Sequence, residues 1–231
     1  MQMDLRATLE KVSVLPVVTV SRPEQAIPLA EALMAGGLPC AEITFRSDAA
    51  AAAIENVRMH VPEMLVGAGT ILTIAQADLA ITAGAAFLVA PGFNPAVVDH
   101  VLGRGVPMLP GIATPSELEA ALARELRVVK VFPAGLLGGP EYLKALAGPY
   151  PMMGFVPTGG VTIDNLREYF ALPSVPAVGG TWLANADLVA TEDWETVEHL
   201  AADAAAIVRR IRPADDGHRG QRPGVTVETL I

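Results

Sequence analysis

Short runs of β-branched and apolar residues alternate with longer stretches of helical periodicity along most of the chain. The first run, 14–20, is rich in valine. In the stretch 23–35 after it, Ile27, Ala30, Leu33 and Met34 recur at the three-to-four spacing that places side chains on one helical face. Gly36 and Gly37 close that helix, a common use of glycine. The unit then repeats. Strands are predicted at 40–46, 64–69, 86–90, 106–109, 127–132, 154–158 and 176–179, each followed by a helix, at 48–60, 74–83, 95–103, 115–124, 140–147, 162–170 and 193–211. The alanine run at 49–53 belongs to one of these helices, because alanine is the best helix former. Eight β–α units without a charged linker or a break in composition predict an α/β protein: a single-domain (β/α)8 TIM barrel over residues 1–212. A doubly wound open sheet is the competitor, since alternation alone does not demand closure. The stretch 213–231 has prolines, glycines and mixed charge without periodicity, and is expected to be a flexible tail or one draped on a neighbouring subunit.

Composition narrows the class. The chain has 231 residues, of which 52% are hydrophobic, ample for a large core and unlike a disordered chain. With 16 Lys+Arg against 25 Asp+Glu the net charge is −9, which argues against nucleic acid and anionic membranes as partners. The lone cysteine, Cys40, excludes an intramolecular disulfide framework and fits a reducing compartment. Residues 1–11 show no continuous apolar stretch of the signal-peptide kind, and no apolar run approaches the roughly 20 residues that span a bilayer. The expectation is a soluble, cytoplasmic protein.

The informative positions are polar residues in strands that should be apolar on both faces. Lys130 lies inside Val-Val-Lys-Val-Phe-Pro, with Val128 and Phe132 on its own face by period-two alternation. Burial disfavours the charged form of an amine, and a neutral amine is the nucleophile of Schiff-base chemistry. A lysine that snorkels to a strand end or pairs with a carboxylate is the bland alternative. Only three lysines occur, and Lys11 and Lys144 fall in segments predicted to be helical and exposed. On the second strand Glu42, Thr44 and Arg46 share a face, so an acid, a hydroxyl and a guanidinium form a polar wall; a structural Glu42–Arg46 ion pair is the alternative there. Glycine-rich segments follow the third, seventh and eighth strands, at 66–70, 157–161 and 178–182. Glycine pairs between a strand and a helix N-terminus expose backbone N–H groups to an anion, and barrels often bind phosphate after strands seven and eight. His60, His100, His199 and His218 show no metal-ligand spacing, so no metal site is expected. Cys40 is read as a small buried hydrophobe, and Trp182 and Trp194 as packing anchors.

Seven ordered segments carry a resemblance: Glu-Ile-Thr-Phe-Arg-Ser (42–47), Val-Gly-Ala-Gly-Thr (66–70), Ala-Pro-Gly (90–92), Leu-Pro-Gly-Ile-Ala-Thr (109–114), Val-Lys-Val-Phe-Pro-Ala (129–134), Pro-Thr-Gly-Gly-Val (157–161) and Gly-Gly-Thr-Trp-Leu (179–183). From about residue 8 to 211 the chain resembles the bacterial 2-keto-3-deoxy-6-phosphogluconate (KDPG) aldolases, which also act on 4-hydroxy-2-oxoglutarate (KHG). The resemblance implies a class I, metal-free lyase that needs no cofactor beyond its own lysine Schiff base, usually a homotrimer, acting in the Entner–Doudoroff pathway on a phosphorylated keto acid and releasing pyruvate. It makes Lys130 the Schiff-base lysine and Glu42 the general acid/base. Arg46 and Thr70 match residues that hold the pyruvate carboxylate, and Pro91 and Phe132 those that shape the imine pocket. Thr158 matches a position near the sugar hydroxyls, and Gly159, Gly160, Gly180 and Thr181 the phosphate site. Thr181 stands where serine is common, and the segment 135–140 is more apolar than in many relatives. Arg46, where phosphogalactonate aldolases tend to carry an amide, favours the gluconate substrate. The alternatives are the same chemistry on KHG or on 2-keto-3-deoxy-6-phosphogalactonate, and a non-catalytic phosphate-binding barrel.

Overall fold

Alternation of inward and outward side chains builds this molecule, and it is visible strand by strand in the computed structural model, which describes residues 3–213. The expectation of a tail over 213–231 lies outside the described residues, Pro213 excepted. Strands β1 (Val14–Val18), β2 (Cys40–Thr44), β3 (Leu65–Gly69), β4 (Leu88–Val89) and β5 (Met108–Leu109) run parallel and in order, with β9 (Val178–Gly180) on the far side of β1. Strands β6 (Gly111–Ile112), β7 (Val128–Val131) and β8 (Gly154–Pro157) form a second parallel group. The result is an α/β fold with a curled, wholly parallel sheet. The predicted strand at 106–109 therefore extends to Ile112, but Pro110 interrupts it, because proline has no N–H for the ladder. Its carbonyl still accepts a hydrogen bond from the Lys130 amide at 2.9 Å.

Side chains sort into two apolar clusters. Val14, Ala41, Ile43, Val66, Ala68, Leu88, Met108, Val129, Val131, Phe155 and Val178 pack outward against the helices. Leu15, Cys40, Phe87, Val89, Leu109, Val128, Val156 and Ala177 pack inward on one another. Helix α1 (Leu5–Val12), the helical segment expected around Lys11, closes this inner cluster at the strands' N-terminal end with Leu5 and Leu9. Its start is fixed by Asp4, whose side chain accepts from the Ala7 amide at 3.1 Å.

The helices follow their caps. Helix α2 is Ala26–Ala35, and α3 (Ala50–His60) grows from the alanine tract. Thr73 caps α4 (Ile74–Thr82), Asn94 caps α5 (Pro95–Gly103), and Thr114 with Glu117 forms a capping box on α6 (Pro115–Leu122). Helix α7 spans Gly139–Ala147. Two predicted helices change. The segment 162–170 is helical only as α8 (Leu166–Phe170), because Asn165 folds back: Thr162 N donates to its Oδ1 at 2.9 Å and its Nδ2 donates to Gly160 O at 2.9 Å. An extra short helix, α9 (Ala186–Thr191), capped by Asn185, precedes α10 (Trp194–Ile211). No described helix is long and apolar enough to cross a membrane.

Candidate active site

The inward face turns polar at the C-terminal ends of the strands. On β2 the inward positions are Cys40, Glu42 and Thr44, and on β7 they are Val128 and Lys130. Lys130 and Glu42 are buried, at 5% and 1% exposure, which long charged side chains seldom are without a partner. They are each other's partner: Lys130 Nζ lies 3.3 Å from Glu42 Oε1 across the interior. Lys130 is thus the buried lysine, and Lys11 and Lys144 are exposed as expected. The expected alternative for Glu42, a pair with Arg46, is replaced by this one. Arg46 lies beyond the end of β2, is exposed, and makes no hydrogen bond or ion pair among the described residues. It does not share the buried wall with Glu42 and Thr44, because the strand ends before alternation reaches it.

One neighbour besides Lys130 bounds the Glu42 carboxylate. On β3, Gly69, the register partner of Thr44, covers it: a Cβ there would stand 2.1 Å from Glu42 Oε1, so only glycine leaves room for the acid. Above it, the fully buried Thr44 hydroxyl shares a 2.7 Å hydrogen bond with Thr19. Sequence reasoning passed over Thr19. The signal was period-two alternation from the inward Leu15 through Val17, which pairs with Glu42.

The rim is built from loops just past the strands. The Phe132 ring centroid is 5.8 Å from Lys130 Nζ, and the Phe132–Pro133 peptide is cis. Pro91 presents its carbonyl against Gly111, the register partner of Lys130. Thr70 is half-buried in the left-handed region, at φ 58°, a conformation that costs a β-branched residue and concentrates at functional sites. Gly159 and Gly160 both adopt φ 84°, which requires glycine, and the Gly135 amide donates to Gly159 O at 2.8 Å. Thr158 is buried with its hydroxyl against Gly179. Gly179 and Gly180 belong to β9 itself, paired with Leu15 and Pro16, so this pair ends a strand instead of forming a loop after it. Thr181 is exposed beyond it, and the Trp182 ring covers Gly180. Trp182 packs on the outer core as expected, yet its Nε1–H is buried with no hydrogen-bond partner among the described residues. Because α8 and α9 start several residues after the glycine pairs, no helix begins directly behind either pair, contrary to expectation.

The remaining candidates behave as structural residues. Cys40 is fully buried, donates from Sγ to Val14 O at 3.2 Å, and burial pushes its thiol up to about 12. His100 bonds Asp78 at 2.9 Å on the surface between α4 and α5, and His199 is exposed. Among the described residues no group of three or more His, Cys, Asp or Glu is arranged to hold a metal ion.

A buried amine against a buried carboxylate, ringed by glycine backbone and hydroxyls, can add to a carbonyl and shuttle its proton. Known proteins share this framework. The model of the KDPG and KHG aldolase family matches residues 5–200. A 2-dehydro-3-deoxy-phosphogluconate aldolase of Treponema pallidum is 52% identical over 87% of this chain and 95% of its own. The KHG/KDPG aldolase of Escherichia coli K12 is 40% identical over 83% of this chain and 90% of its own. Among solved structures, a KDPG aldolase of Legionella pneumophila with pyruvate captured as a covalent carbinolamine superposes with a TM-score of 0.84 at 35% identity, covering 87% of this chain and 98% of the other. With a family model spanning most of the chain and relatives well above the identity that fixes a family, this chain belongs to the KDPG and KHG aldolases.

Proposed function

We propose that the protein is a class I aldolase, a lyase that cleaves 2-keto-3-deoxy-6-phosphogluconate to pyruvate and glyceraldehyde 3-phosphate. The observation that carries this is the buried Lys130–Glu42 pair at 3.3 Å, at the strand ends where such folds hold their chemistry. Lys130 Nζ adds to the C2 ketone, the carbinolamine loses water, and the resulting iminium is the electron sink. Glu42 takes the proton of the C4 hydroxyl. The C3–C4 bond breaks toward the iminium, leaving the enamine of pyruvate and releasing the aldehyde. Glu42 then returns a proton to C3, and water hydrolyses the iminium to free pyruvate and Lys130. Every step uses groups the chain supplies, so no external cofactor is invoked.

Around this pair, Thr70 and Arg46 are assigned to the keto-acid carboxylate, Arg46 by swinging in from its exposed position to offer a bidentate fork. Pro91 and Phe132 flank the imine, and Thr158 serves the sugar hydroxyls. Gly159, Gly160, Gly180 and Thr181 take the phosphate through backbone N–H groups and one hydroxyl. A solved relative from Zymomonas mobilis holds 3-phosphoglycerate, which fits a phosphorylated three-carbon product. The same chemistry on KHG is the second substrate, in keeping with the dual name of the Escherichia coli relative.

Residues 1–212 are proposed to form one closed eight-stranded barrel. Three features support closure: β5 and β6 are one strand broken at Pro110, the bridge from Thr158 to Gly179 joins β8 to β9, and α10 packs on α2. The protein is further proposed to work in the cytoplasm as a homotrimer. Leu72, Ile74 and Leu79, in and just before α4, are 41–57% exposed and offer apolar surface for association. The decisive experiment is borohydride reduction in the presence of pyruvate. A pyruvyl adduct on Lys130, absent in Lys130→Ala, is expected. No adduct, or one on Lys11 or Lys144 alone, leaves a barrel that binds phosphate without this catalysis.

A further inference from the structure

A cavity of about 520 Å3, within the range of ligand pockets, lies at the N-terminal end of the strands, opposite Lys130. Met3, Leu5, Leu102 and Leu126 give it an apolar lining, and Arg6, Arg124 and Arg127 outnumber Asp4 and Glu125 around it. Three of these charges are engaged: Asp4 in the α1 cap, Arg124 with Asp99, and Arg6 through Nη1 to Met152 O at 2.7 Å. The Arg127 guanidinium is exposed and makes no hydrogen bond or ion pair among the described residues.

The described residues end beside this cavity. After α10, Arg212 donates to Pro176 O at 2.8 Å and Val175 O at 2.5 Å, at the start of β9. The Pro176 ring lies 3.3 Å from the Cβ position of Gly154, at the start of β8, and Gly154 N donates to Arg127 O at 2.8 Å, at the start of β7. That end and the cavity rim are thus two strand spacings apart, about 10 Å. Residues 214–231 reach up to roughly 60 Å when extended. Their first part, 214–224, is charged and rich in glycine and arginine. All the large apolar side chains fall at the end, in Val-Thr-Val-Glu-Thr-Leu-Ile (225–231), with Glu228 as the one charged side chain there.

We propose that segment 225–231 docks into this cavity of its own chain, burying Val225, Val227 and Ile231 against the apolar lining and placing Glu228 against Arg127. Attachment a short distance away favours the intramolecular event over capture of another copy's segment, because the effective concentration of a short tether is high. The proposal is independent of the catalytic assignment, since no residue of that assignment lines the cavity.

Cysteine pairing in the full chain tests it, with Cys40 buried and out of reach. Leu126→Cys with Val227→Cys should oxidise to an intramolecular disulfide at least tenfold faster than Val227→Cys with Met59→Cys on the exposed face of α3. Equal rates would show an undirected segment, and disulfide-linked dimers as the main product would make a second copy the occupant; either overturns the proposal. Should the paired variant fold poorly, Val227→Asp alone decides. Amide hydrogen exchange across 124–127 should rise at least fivefold, and unchanged exchange overturns the docking.

Discussion

Adding one methyl group at Gly69 should disable the proposed base without touching it. The backbone there lies outside the positive-φ region, so alanine is conformationally allowed and the whole effect is spatial. Its Cβ would stand 2.1 Å from Glu42 Oε1, 2.5 Å from Cγ and 2.6 Å from Cδ, against about 3.4 Å for ordinary contact. The carboxylate must retreat by about 1.3 Å, which breaks its 3.3 Å approach to Lys130. Misplacement of a reacting group by about 1 Å costs roughly 100-fold, and a general base contributes about 100- to 10,000-fold. Gly69→Ala is therefore expected to lower kcat/KM for aldol cleavage by about 100-fold or more, read by coupling pyruvate release to lactate dehydrogenase. Overpacking of this kind costs about 1–3 kcal/mol, so the variant should stay folded and be measured as such by calorimetry. Pyruvate trapping on Lys130 should persist at reduced rate, separating loss of the base from loss of the nucleophile. A folded Gly69→Ala enzyme with native turnover would refute the placement of Glu42 as the proton carrier.

Two further outcomes follow from geometry and charge. Gly159→Ala forces alanine to φ 84°, a cost of about 1–2 kcal/mol, and tilts the backbone amides of the proposed phosphate loop. Its kcat/KM should fall at least tenfold on the phosphorylated substrate and much less on KHG, and an equal fall on both removes the loop from phosphate binding. At Asp78, the hydrogen bond from His100, then the charges of His100 and Arg104, hold the carboxyl below its ordinary 3.8. A depressed carboxylate adds stability above the unfolded value and loses it as pH falls through the folded one. The Tm of Asp78→Asn should therefore lie below that of the parent protein near neutral pH and converge with it well below pH 3.8; a pH-independent gap would remove the charge from the explanation.

Much of this was legible in the chain because alternation is a strong signal in parallel strands. Val128, with Val129 and Val131 on either side of Lys130, announces a lysine that cannot face helices, and Glu42 with Thr44 announce a polar interior by the same logic. What escaped has local causes. The bounds of helix α1 around Lys11 and its inward packing are not legible, because it is only eight residues long and its burial depends on an inner cluster of residues distant in sequence. Pro110 splits a strand without ending it, because its carbonyl still joins the ladder. The shortened α8 reflects a side chain, Asn165, competing with helical hydrogen bonds. Arg46 was placed one face too far, since a period of two holds only while the strand lasts. Thr19 was missed because its importance lies in a neighbour on the adjacent strand, Thr44, which spacing along one strand does not reveal.

The interior site pairs large polar side chains with absent ones on the next strand: Glu42 against Gly69, and Thr158 against Gly179, where a Cβ would meet the Thr158 hydroxyl at 2.2 Å. Such pairs make neighbouring positions strongly epistatic, with coupling energies on the order of 0.5–3 kcal/mol. A side chain at position 69 or 179 becomes acceptable only after its partner has shortened, and shortening the partner first leaves a void and a weakened site. Lineages descending from this enzyme can exchange these residues only in concert, so directed evolution that samples one position at a time will find both sites frozen, whereas libraries that vary each pair together will not.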